Sequence, residues 1–256
     1  MKNRTEMKKI ALVTGATSGI GEAIARELAD NYALIICGRR QEKLDGLKSE
    51  LEKKTEVISL QFDVRNNAEV NAAISSLPIA WTEIDILINN AGNAHGLGPI
   101  HEGNVEDWDA MIDSNLKGLL YVSRVITPGM VERKSGHIVN ISSIAGKEVY
   151  ENGNVYCASK FGVDAATQGM RLDLNPYNIK VTCVNPGLVK TGFSNVRFKG
   201  DEEKAESVYK GLDPLIAKDI AEVVKFALDR PANVALTDIT VLAAAQASAK
   251  TVNRKG

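Results

Sequence analysis

The sequence has few cysteines and histidines, and neither type shows a pairing pattern. The three cysteines are an odd number, lie far apart and include no C-x-x-C pair: Cys37, Cys157 and Cys183. This usage is typical of reduced thiols in a cytoplasmic protein, and we expect the first and third to be buried in strands. His95, His101 and His137 are scattered without the spacing of metal ligands, so we expect no metal site.

An excess of charge and a long apolar run are also absent. The chain has 31 Lys and Arg residues against 32 Asp and Glu residues, so its overall charge offers no attraction for nucleic acid or an anionic membrane. Nowhere do 18 consecutive apolar residues occur, and we expect no transmembrane helix. The basic residues within positions 1–10 are not followed by the apolar core of a signal peptide, so we expect none.

The residues that are present favour a globular α/β protein. A length of 256 residues is normal for one α/β domain, and short apolar runs alternate with longer amphipathic stretches, as in βαβ units. Apolar runs of strand length occur at 9–14, 33–37, 57–62, 85–89, 137–142, 180–185 and 238–242. Amphipathic helical stretches lie at 20–30, 67–76, 105–132, 155–173 and 218–229.

Strands that are apolar throughout are buried on both faces, so helices must cover both sides of the sheet. With right-handed crossovers, the sequence predicts a single domain over residues 1–256. The predicted fold is α/β, a Rossmann-type doubly wound parallel sheet of about seven strands with helices on both faces. Residues 190–217 break the alternation with three glycines and one predicted short helix. An irregular segment of this length is typical of a lid.

A glycine-rich turn directly follows the first strand. Residues 14–21 carry glycines at 15, 19 and 21, in the spacing G-x-x-x-G-x-G, between a strand and a helix. Glycines let the backbone approach a pyrophosphate, and the N–H groups and positive dipole end of the following helix attract it. The alternative is a turn that only reverses the chain. The strand–turn–helix context favours dinucleotide binding.

The end of the second strand indicates which dinucleotide binds. An acidic residue there would bind the ribose 2′-hydroxyl of NAD, whereas this chain has Arg39 and Arg40. Two guanidinium groups suit a 2′-phosphate through charge-assisted hydrogen bonds. The alternative is a solvated arginine pair at the start of a helix. The position within the fingerprint predicts NADP over NAD.

A phenol and an ammonium group lie four residues apart at Tyr156 and Lys160. On a helix these positions share one face, and a nearby cation lowers the tyrosine pKa from its usual value of about 10. A tyrosine and a lysine at this spacing also arise by chance on protein surfaces, so the residues predicted to lie near them distinguish a catalytic pair from a surface pair. Ser143 ends the fifth strand, at the edge where ligands bind. Asn115 places a short amide, a poor helix former, within the long helix.

Together these features resemble the short-chain dehydrogenase/reductase family, and the resemblance runs from about residue 8 to 243. It implies that Tyr156 is the general base or acid, and that Lys160 lowers its pKa and holds the nicotinamide ribose. Ser143 would bind the substrate oxygen, and Asn115 a water that relays the proton. It also implies contacts with NADP from these residues: Gly15, Thr17, Ser18, Gly19, Ile20, Gly21, Arg39, Arg40, Asp63, Val64, Asn90, Ala91, Gly92, Tyr156, Lys160, Pro186, Gly187, Val189 and Thr191.

Several stretches resemble one subgroup of the family, the NADP-dependent 3-hydroxy acid dehydrogenases, also called serine or L-allo-threonine dehydrogenases. These stretches are 38–44, 105–108, 128–133, 153–156 and 193–201. The resemblance implies oxidation or reduction at the 3-hydroxy or 3-oxo carbon of a small acid. L-allo-threonine, serine, 3-hydroxyisobutyrate, and 3-hydroxypropionate with malonic semialdehyde are of this type. It also implies a cytoplasmic homotetramer without nucleic-acid or membrane partners.

A small carboxylate substrate needs a cation near the lid, where Arg197 and Lys199 are available. We hypothesise that Arg197 binds the carboxylate while Ser143 and Tyr156 bind the hydroxyl; the alternative is that both cations are surface charges. Gly192 and the stretch 242–246 depart from the subgroup pattern, which leaves the exact substrate and the subunit contacts open. Two other functions compete: another short-chain carbonyl reductase, such as a 3-oxoacyl-carrier-protein reductase, and a non-catalytic NADP(H)-binding protein. The complete tetrad argues against the second.

Overall fold

The computed structural model describes residues 8–255; residues 1–7, which the expectation about a signal peptide concerns, lie outside them. The strands are β1 (Ile10–Val13), β2 (Ala33–Gly38), β3 (Val57–Gln61), β4 (Ile84–Asn89), β5 (Gly136–Ile141), β6 (Ile179–Pro186), β7 (Val189–Lys190), β8 (Leu215–Ile216) and β9 (Asp238–Val241). Seven of them form one sheet in the order β3-β2-β1-β4-β5-β6-β9, and all its pairings are parallel. The predicted doubly wound sheet of seven strands is confirmed.

Successive residues of the central strands face opposite sides of the sheet, and both sides are buried. In β1, Ala11 and Val13 belong to one apolar cluster, whereas Ile10 and Leu12 belong to the other. All four side chains are fully buried. The period of two in a strand therefore serves two cores at once, which is why the sequence of β1 is apolar without interruption.

The helices cover the two faces. They are α1 (Gly19–Leu28), α2 (Gln41–Leu51), α3 (Asn67–Ser75), α4 (Val105–Ile112), α5 (Gly118–Arg133), α6 (Asn154–Leu174), α7 (Phe193–Arg197), α8 (Glu202–Ser207) and α9 (Ala217–Leu228). Side chains of α1, α2 and α9 join one apolar cluster, and those of α3, α5 and α6 join the other. Within residues 8–255, none of the helices has both the length and the apolar character needed to cross a membrane.

Helix α2 lies where the apolar pattern predicts none. Its sequence is mostly polar, and only Leu44, Leu47 and Leu51 are buried. These three positions follow the spacing i, i+3 and i+7, which lines one side of a helix. The stripe is narrow because α2 packs against β2 and β3, the last two strands at one end of the sheet, so little of its surface meets the core.

The long helix expected over 105–132 is interrupted. A wide π-helical turn, Asp113–Lys117, separates α4 from α5. Such turns occur mostly as single insertions within α-helices, often at functional sites. Here the turn holds Asn115, which is buried, so the interruption positions a predicted site residue.

Residues 190–217 contain more structure than the one short helix expected. The segment forms α7 and α8, and the short strands β7 and β8 pair in parallel at its two ends. This pairing closes the segment into a loop beside the carboxyl end of β6. The loop therefore lies at the sheet edge where the predicted site residues are found.

Candidate active site

A cavity of about 590 Å³ opens at the carboxyl ends of the strands, next to the point between β1 and β4 where the strand order reverses. Ligands of doubly wound folds bind at this place, and the volume is typical of ligand sites, about 300–1,000 Å³. Every residue predicted above to bind cofactor or substrate lines the cavity except Gly21. Of the four predicted catalytic residues, only Asn115 lies behind the cavity wall.

The glycine turn is packed too tightly for side chains at two positions. Gly15 has a φ of +66°, in the left-handed region that favours glycine. A Cβ on Gly21 would lie 2.3 Å from Asn90 Nδ2 and 2.5 Å from the Gly15 carbonyl oxygen. The same Asn90 Nδ2 donates a hydrogen bond to the Thr14 carbonyl at 2.9 Å. The turn after β1 and the end of β4 therefore hold one another in place.

Replacing Gly21 by alanine is expected to lower the free energy of unfolding by about 1–3 kcal/mol, because the added methyl group forces the Asn90 amide or the turn backbone to move. Chemical denaturation measures the change. Gly46→Ala is the matched control, since Gly46 also lies within a helix but a Cβ there meets nothing within 4 Å. That substitution should stabilise by about 0.5–1 kcal/mol. Equal effects at both positions would contradict the steric argument.

The start of α1 presents free hydrogen-bond donors to the cavity. Ser18 occupies the N-cap position, yet its side chain forms no capping hydrogen bond with the first helical N–H groups. Its hydroxyl oxygen instead accepts a hydrogen bond from Arg40 Nη2 at 3.0 Å. The uncapped N–H groups and the positive end of the helix dipole suit an anion such as phosphate.

Two cations lie at the β2 end of the cavity. Arg40 Nη2 also donates to the Thr17 carbonyl at 3.2 Å and to the Thr17 hydroxyl at 3.0 Å. The Arg39 side chain is 63% exposed, and its Nη1 lies 3.8 Å from an Asp63 carboxylate oxygen. Both guanidinium groups line the cavity. This end can therefore bind a second anionic group, as predicted for a 2′-phosphate.

The other end of the cavity contains Ser143, Tyr156 and Lys160. Ser143 follows β5, where its hydroxyl oxygen accepts from the Ala145 N–H at 3.1 Å. Tyr156 and Lys160 lie in the first turns of α6, and both are buried. Lys160 Nζ donates to the Ile141 carbonyl at 3.1 Å and lies 6.0 Å from the centre of the Tyr156 ring. The three side chains that the sequence predicts to act together are thus neighbours.

Asn115 fixes the backbone that follows β4. Its Oδ1 accepts from the Asn93 N–H at 2.7 Å, and its Nδ2 donates to the Asn93 carbonyl at 2.8 Å. The same Nδ2 donates to Ser159 Oγ at 3.0 Å, which joins the π-helical turn to α6. A Cβ on Gly92 would lie 2.8 Å from Asn115 Oδ1 and 3.5 Å from Lys160 Nζ. Asn115 therefore acts on the site through its backbone contacts.

Burial shifts the pKa values of Tyr156 and Lys160 toward the uncharged form of each side chain. Burial raises the pKa of the Tyr156 hydroxyl well above its usual value, while the nearby Ser143 hydroxyl and Arg197 guanidinium oppose the rise. Burial also lowers the pKa of the Lys160 ammonium to about 8, because removal from water penalises each charged form. In the protein without cofactor the pKa of Tyr156 is thus shifted opposite to the predicted direction, and its lowering by Lys160 together with the nicotinamide ring stays a prediction. Tyr156 holds its proton at neutral pH.

Arg197 is a half-buried cation above this tyrosine. Its Cζ lies 5.3 Å from the centre of the Tyr156 ring. Its Nη2 donates to the Tyr150 hydroxyl at 2.7 Å, and its Nε donates to the Gly96 carbonyl at 3.3 Å. No carboxylate in the described part of the chain forms an ion pair with it, in contrast to Lys199 of the same segment. The cavity thus contains a positive charge without a negative partner.

The second predicted cation of this segment is not available to the cavity. Lys199 Nζ pairs with an Asp107 carboxylate oxygen at 2.9 Å, outside the cavity lining. The segment 190–217 is also bound to the loop after β4, since the Gly96 N–H donates to the Arg197 carbonyl at 2.9 Å. Phe193 contacts the Tyr156 ring edge-on, with 5.7 Å between the ring centres. The segment therefore covers Tyr156.

The residues of the site that the sequence analysis does not predict include Tyr150, Asn93 and Gln246. Tyr150 and Asn93 line the cavity, and both lie in irregular turns, where no periodicity marks which side chains point inward. Gln246 also lines it, and its Oε1 accepts from the Leu188 N–H at 2.9 Å. The only signal for Gln246 is a polar residue at the end of an alanine run, within the stretch that departs from the subgroup pattern.

One group of potential metal ligands occurs away from the cavity. Single ligand atoms of Asp164, Cys183 and Asp238 lie within 4.8 Å of one another. The Lys147 ammonium already pairs with both carboxylates. A metal ion would have to displace this ammonium, so the geometry favours an ion-pair network.

Comparisons with known proteins agree with this geometry. The family model described as short chain dehydrogenase matches residues 9–202. NADP-dependent 3-hydroxy acid dehydrogenase YdfG of Salmonella typhi is 47% identical over 242 residues, which cover 94% of this chain and 97% of that protein. NADP-dependent 3-hydroxy acid dehydrogenase of Schizosaccharomyces pombe is 41% identical over 251 residues, with 96% and 97% covered.

Solved structures are similar over nearly the whole chain. The closed form of serine dehydrogenase complexed with NADP+ is 45% identical, with a TM-score of 0.90, covering 96% of this chain and 100% of that one. Serine dehydrogenase from Escherichia coli is 40% identical, with a TM-score of 0.81, covering 93% and 99%. On the matched family model and these relatives, the chain belongs to the short chain dehydrogenase family.

Proposed function

We propose that the protein transfers hydride between NADP(H) and the 3-hydroxy or 3-oxo carbon of a small acid. The observation that carries the proposal is the charge pattern of one cavity: a protonated tyrosine at one end, an arginine pair at the other, and the unpaired Arg197 above the tyrosine. The proposed substrates are L-allo-threonine, serine, 3-hydroxyisobutyrate, and 3-hydroxypropionate or malonic semialdehyde. The relatives named NADP-dependent 3-hydroxy acid dehydrogenases support this substrate class.

The residues of the cavity fit NADP. The uncapped N–H groups of α1 suit the pyrophosphate, and Arg39 and Arg40 suit the 2′-phosphate. A side chain on Gly15 or Gly21 would collide with neighbouring atoms. The absence of side chains at these positions lets the pyrophosphate approach the backbone closely. We also propose contacts with NADP from other residues that line the cavity: Thr17, Ser18, Gly19, Ile20, Asp63, Val64, Asn90, Ala91, Gly92, Lys160, Pro186, Gly187, Val189 and Thr191.

NADP(H), when bound, supplies or accepts the hydride at its nicotinamide ring. In reduction, Tyr156 donates the proton of its hydroxyl to the substrate oxygen; in oxidation, the same oxygen accepts that proton. The proton needed for donation is present at neutral pH, but burial also makes the Tyr156 phenol a weaker acid, so proton transfer requires that Lys160 and the bound cofactor lower its pKa. Ser143 Oγ hydrogen-bonds the substrate oxygen, and Lys160 holds the nicotinamide ribose. The water that relays the proton is proposed to bind at the main chain of Asn115, because its side-chain amide is already bonded to Asn93 and Ser159.

Arg197 is proposed to bind the substrate carboxylate. A half-buried guanidinium without a counter-charge is costly, and an incoming carboxylate removes that cost while forming charge-assisted hydrogen bonds. Its position 5.3 Å from the Tyr156 ring centre lets one small molecule reach both groups. A 3-hydroxy acid has this form, since two carbon atoms, C2 and C3, separate its hydroxyl oxygen from its carboxylate carbon.

Substitution of Arg197 by leucine is expected to raise the KM for 3-hydroxy acids about 10–150-fold, the usual loss for a hydrogen bond to a charged group. The KM for neutral alcohols or carbonyls of similar size should change little. Steady-state kinetics with both substrate types measures the difference. Lys199→Met is the control, since it removes a cation of the same segment that already pairs with Asp107. Equal losses on acids and neutral substrates would refute the assignment.

The segment 190–217 is proposed to act as a lid. It contacts Tyr156 through Phe193 and the loop after β4 through Arg197. The similar structure with a TM-score of 0.90 is itself a closed form. Protection of this segment from hydrogen exchange should increase when NADP+ is added, and unchanged protection would argue against a lid.

A cytoplasmic homotetramer is proposed as the assembly. Its support is the family resemblance together with exposed apolar side chains on the long helices, such as Leu120 of α5 and Phe161 of α6, each 40% exposed. Large contiguous apolar patches mark contacts between subunits, whereas single exposed apolar side chains are common on monomers, so the family resemblance carries this proposal. Light scattering that gives a single-chain mass at micromolar concentration would contradict this assembly.

The proposed function is tested by following NADPH formation with L-allo-threonine, serine, 3-hydroxyisobutyrate and 3-hydroxypropionate. Turnover of these acids with NADP+ but hardly with NAD+ is the expected result. Faster turnover of an acyl thioester would indicate a 3-oxoacyl-carrier-protein reductase instead. NADPH binding without turnover of any substrate would indicate a non-catalytic NADP(H)-binding protein.

A further inference from the structure

Tyr150 lies in the cavity beside the two residues proposed to meet the substrate. Its hydroxyl oxygen accepts a hydrogen bond from Arg197 Nη2 at 2.7 Å. The Arg197 guanidinium carbon lies 5.6 Å from the centre of the Tyr150 ring and 5.3 Å from that of Tyr156. Arg197 is therefore held between two tyrosine rings, both of which line the same cavity.

The orientation of the Tyr150 ring is set by its own turn. A Cβ on Gly153 would lie 2.1 Å from Tyr150 Cε2, so the ring packs directly on the glycine backbone. The Gly153 N–H also donates to the Tyr150 carbonyl at 3.1 Å, and the Gly98 N–H donates to the Asn152 carbonyl at 3.2 Å. The hydroxyl is consequently presented from a turn whose backbone is held by two hydrogen bonds, which reduces the entropy lost on binding.

The Tyr150 hydroxyl has one unused hydrogen-bonding capacity. A phenol donates one hydrogen bond and accepts others, and here the oxygen accepts from Arg197. Among residues 8–255, no atom accepts the O–H of Tyr150. Burial raises the pKa of this hydroxyl above its usual value, so the proton stays in place at neutral pH. A protonated donor next to an unpaired cation is suited to an anion.

We propose that Tyr150 is a substrate-binding residue that donates its O–H to the carboxylate held by Arg197. The inference rests on the proposed function and deepens it, since it assigns the acid end of the substrate to a pair of donors. One carboxylate oxygen pairs with the guanidinium and accepts from the phenol, while the other end of the substrate faces Tyr156 and Ser143. A carboxylate ester or thioester lacks the negative charge that this pair binds, so the pair selects free acids.

The test is Tyr150→Phe, which keeps the ring on Gly153 and removes only the hydroxyl. With 3-hydroxypropionate, the KM should rise about 10–150-fold, the loss expected for a hydrogen bond to a charged group, with kcat changed far less. With its methyl ester the KM should rise less, by about 2–13-fold at most, because a hydrogen bond between neutral groups contributes only about 0.5–1.5 kcal/mol. Tyr177→Phe is the matched control, since Tyr177 is exposed and outside the cavity lining. An unchanged Kd for NADPH confirms that the variant is folded.

A second variant separates direct contact from a general disturbance of the loop. If Tyr150 and Arg197 bind the same carboxylate, Tyr150→Phe should cost far less in the Arg197→Leu background than in the wild type. Equal costs in both backgrounds, or an unchanged preference of Tyr150→Phe for the acid over its ester, would overturn the inference. The proposed function fails separately, if the wild-type protein oxidises no 3-hydroxy acid at all.

Discussion

Replacing Tyr156 by phenylalanine is expected to lower kcat by about 10²–10⁴-fold, the usual contribution of a positioned general acid or base. The substitution removes the phenol hydroxyl, which donates the proton in reduction and whose oxygen accepts it in oxidation. The ring is retained, and with it the edge-on contact with Phe193 and the packing against Arg197. The Kd for NADPH, measured by fluorescence titration, should therefore stay close to that of the wild type.

The control for this variant is Tyr32→Phe. Tyr32 and Tyr156 are equally buried, with 8% of each exposed, but Tyr32 belongs to the apolar cluster beneath the sheet and not to the cavity. Loss of a buried phenol by itself should thus leave kcat unchanged. Turnover by Tyr156→Phe at the wild-type rate would remove the basis for the proton-transfer role.

The double substitution of Arg39 and Arg40 by alanine is expected to reduce the preference for NADP+ over NAD+ by about 10²–10⁴-fold. Each hydrogen bond to a charged group contributes roughly 1.5–3 kcal/mol, and two such groups meet one phosphate. The kcat/KM for NAD+ should change little, since NAD+ lacks the 2′-phosphate. Steady-state kinetics with both cofactors measures the ratio.

Ionic strength provides an independent check on this assignment. Arg39 is largely exposed, so its attraction for a phosphate is screened by salt, and the wild-type preference should weaken as salt increases. The double variant should show little of this dependence. Arg230→Ala, which removes a half-buried arginine outside the cavity lining, is the control for a general loss of positive charge. A preference that survives the double substitution would show that other groups select the cofactor.

The sequence predicts the sheet well because of where its strands lie. The central strands are buried on both faces, so their residues are apolar without interruption, and each predicted strand matches an observed one within about two residues. The apolar pattern does not predict helix α2, because a helix at the end of the sheet buries only three leucines and the rest of its sequence is mostly polar. The structure of 190–217 was underestimated for a related reason, since short elements carry too few residues for a period to appear.

The site was predictable where backbone position alone defines a role. The glycine turn, Arg39 and Arg40 follow strand ends, and parallel strands bring all of their carboxyl ends to one edge. The charge state of Tyr156 was not predictable in this way. Its spacing to Lys160 indicated a lowered pKa, but the pKa depends on the water removed by surrounding residues, many of them distant in sequence.

By itself the sequence determined the order of the elements, the edge of the sheet where ligands bind and the types of chemical group gathered there, because these follow from periodicity and strand ends. Only the tertiary structure decided the state of those groups. It buries Tyr156 so that the proton is retained, pairs Lys199 with Asp107 and leaves Arg197 without a counter-charge. It also brings Tyr150 to Arg197 across 47 residues. Desolvation and pairing depend on distances in space, and local sequence does not contain these distances.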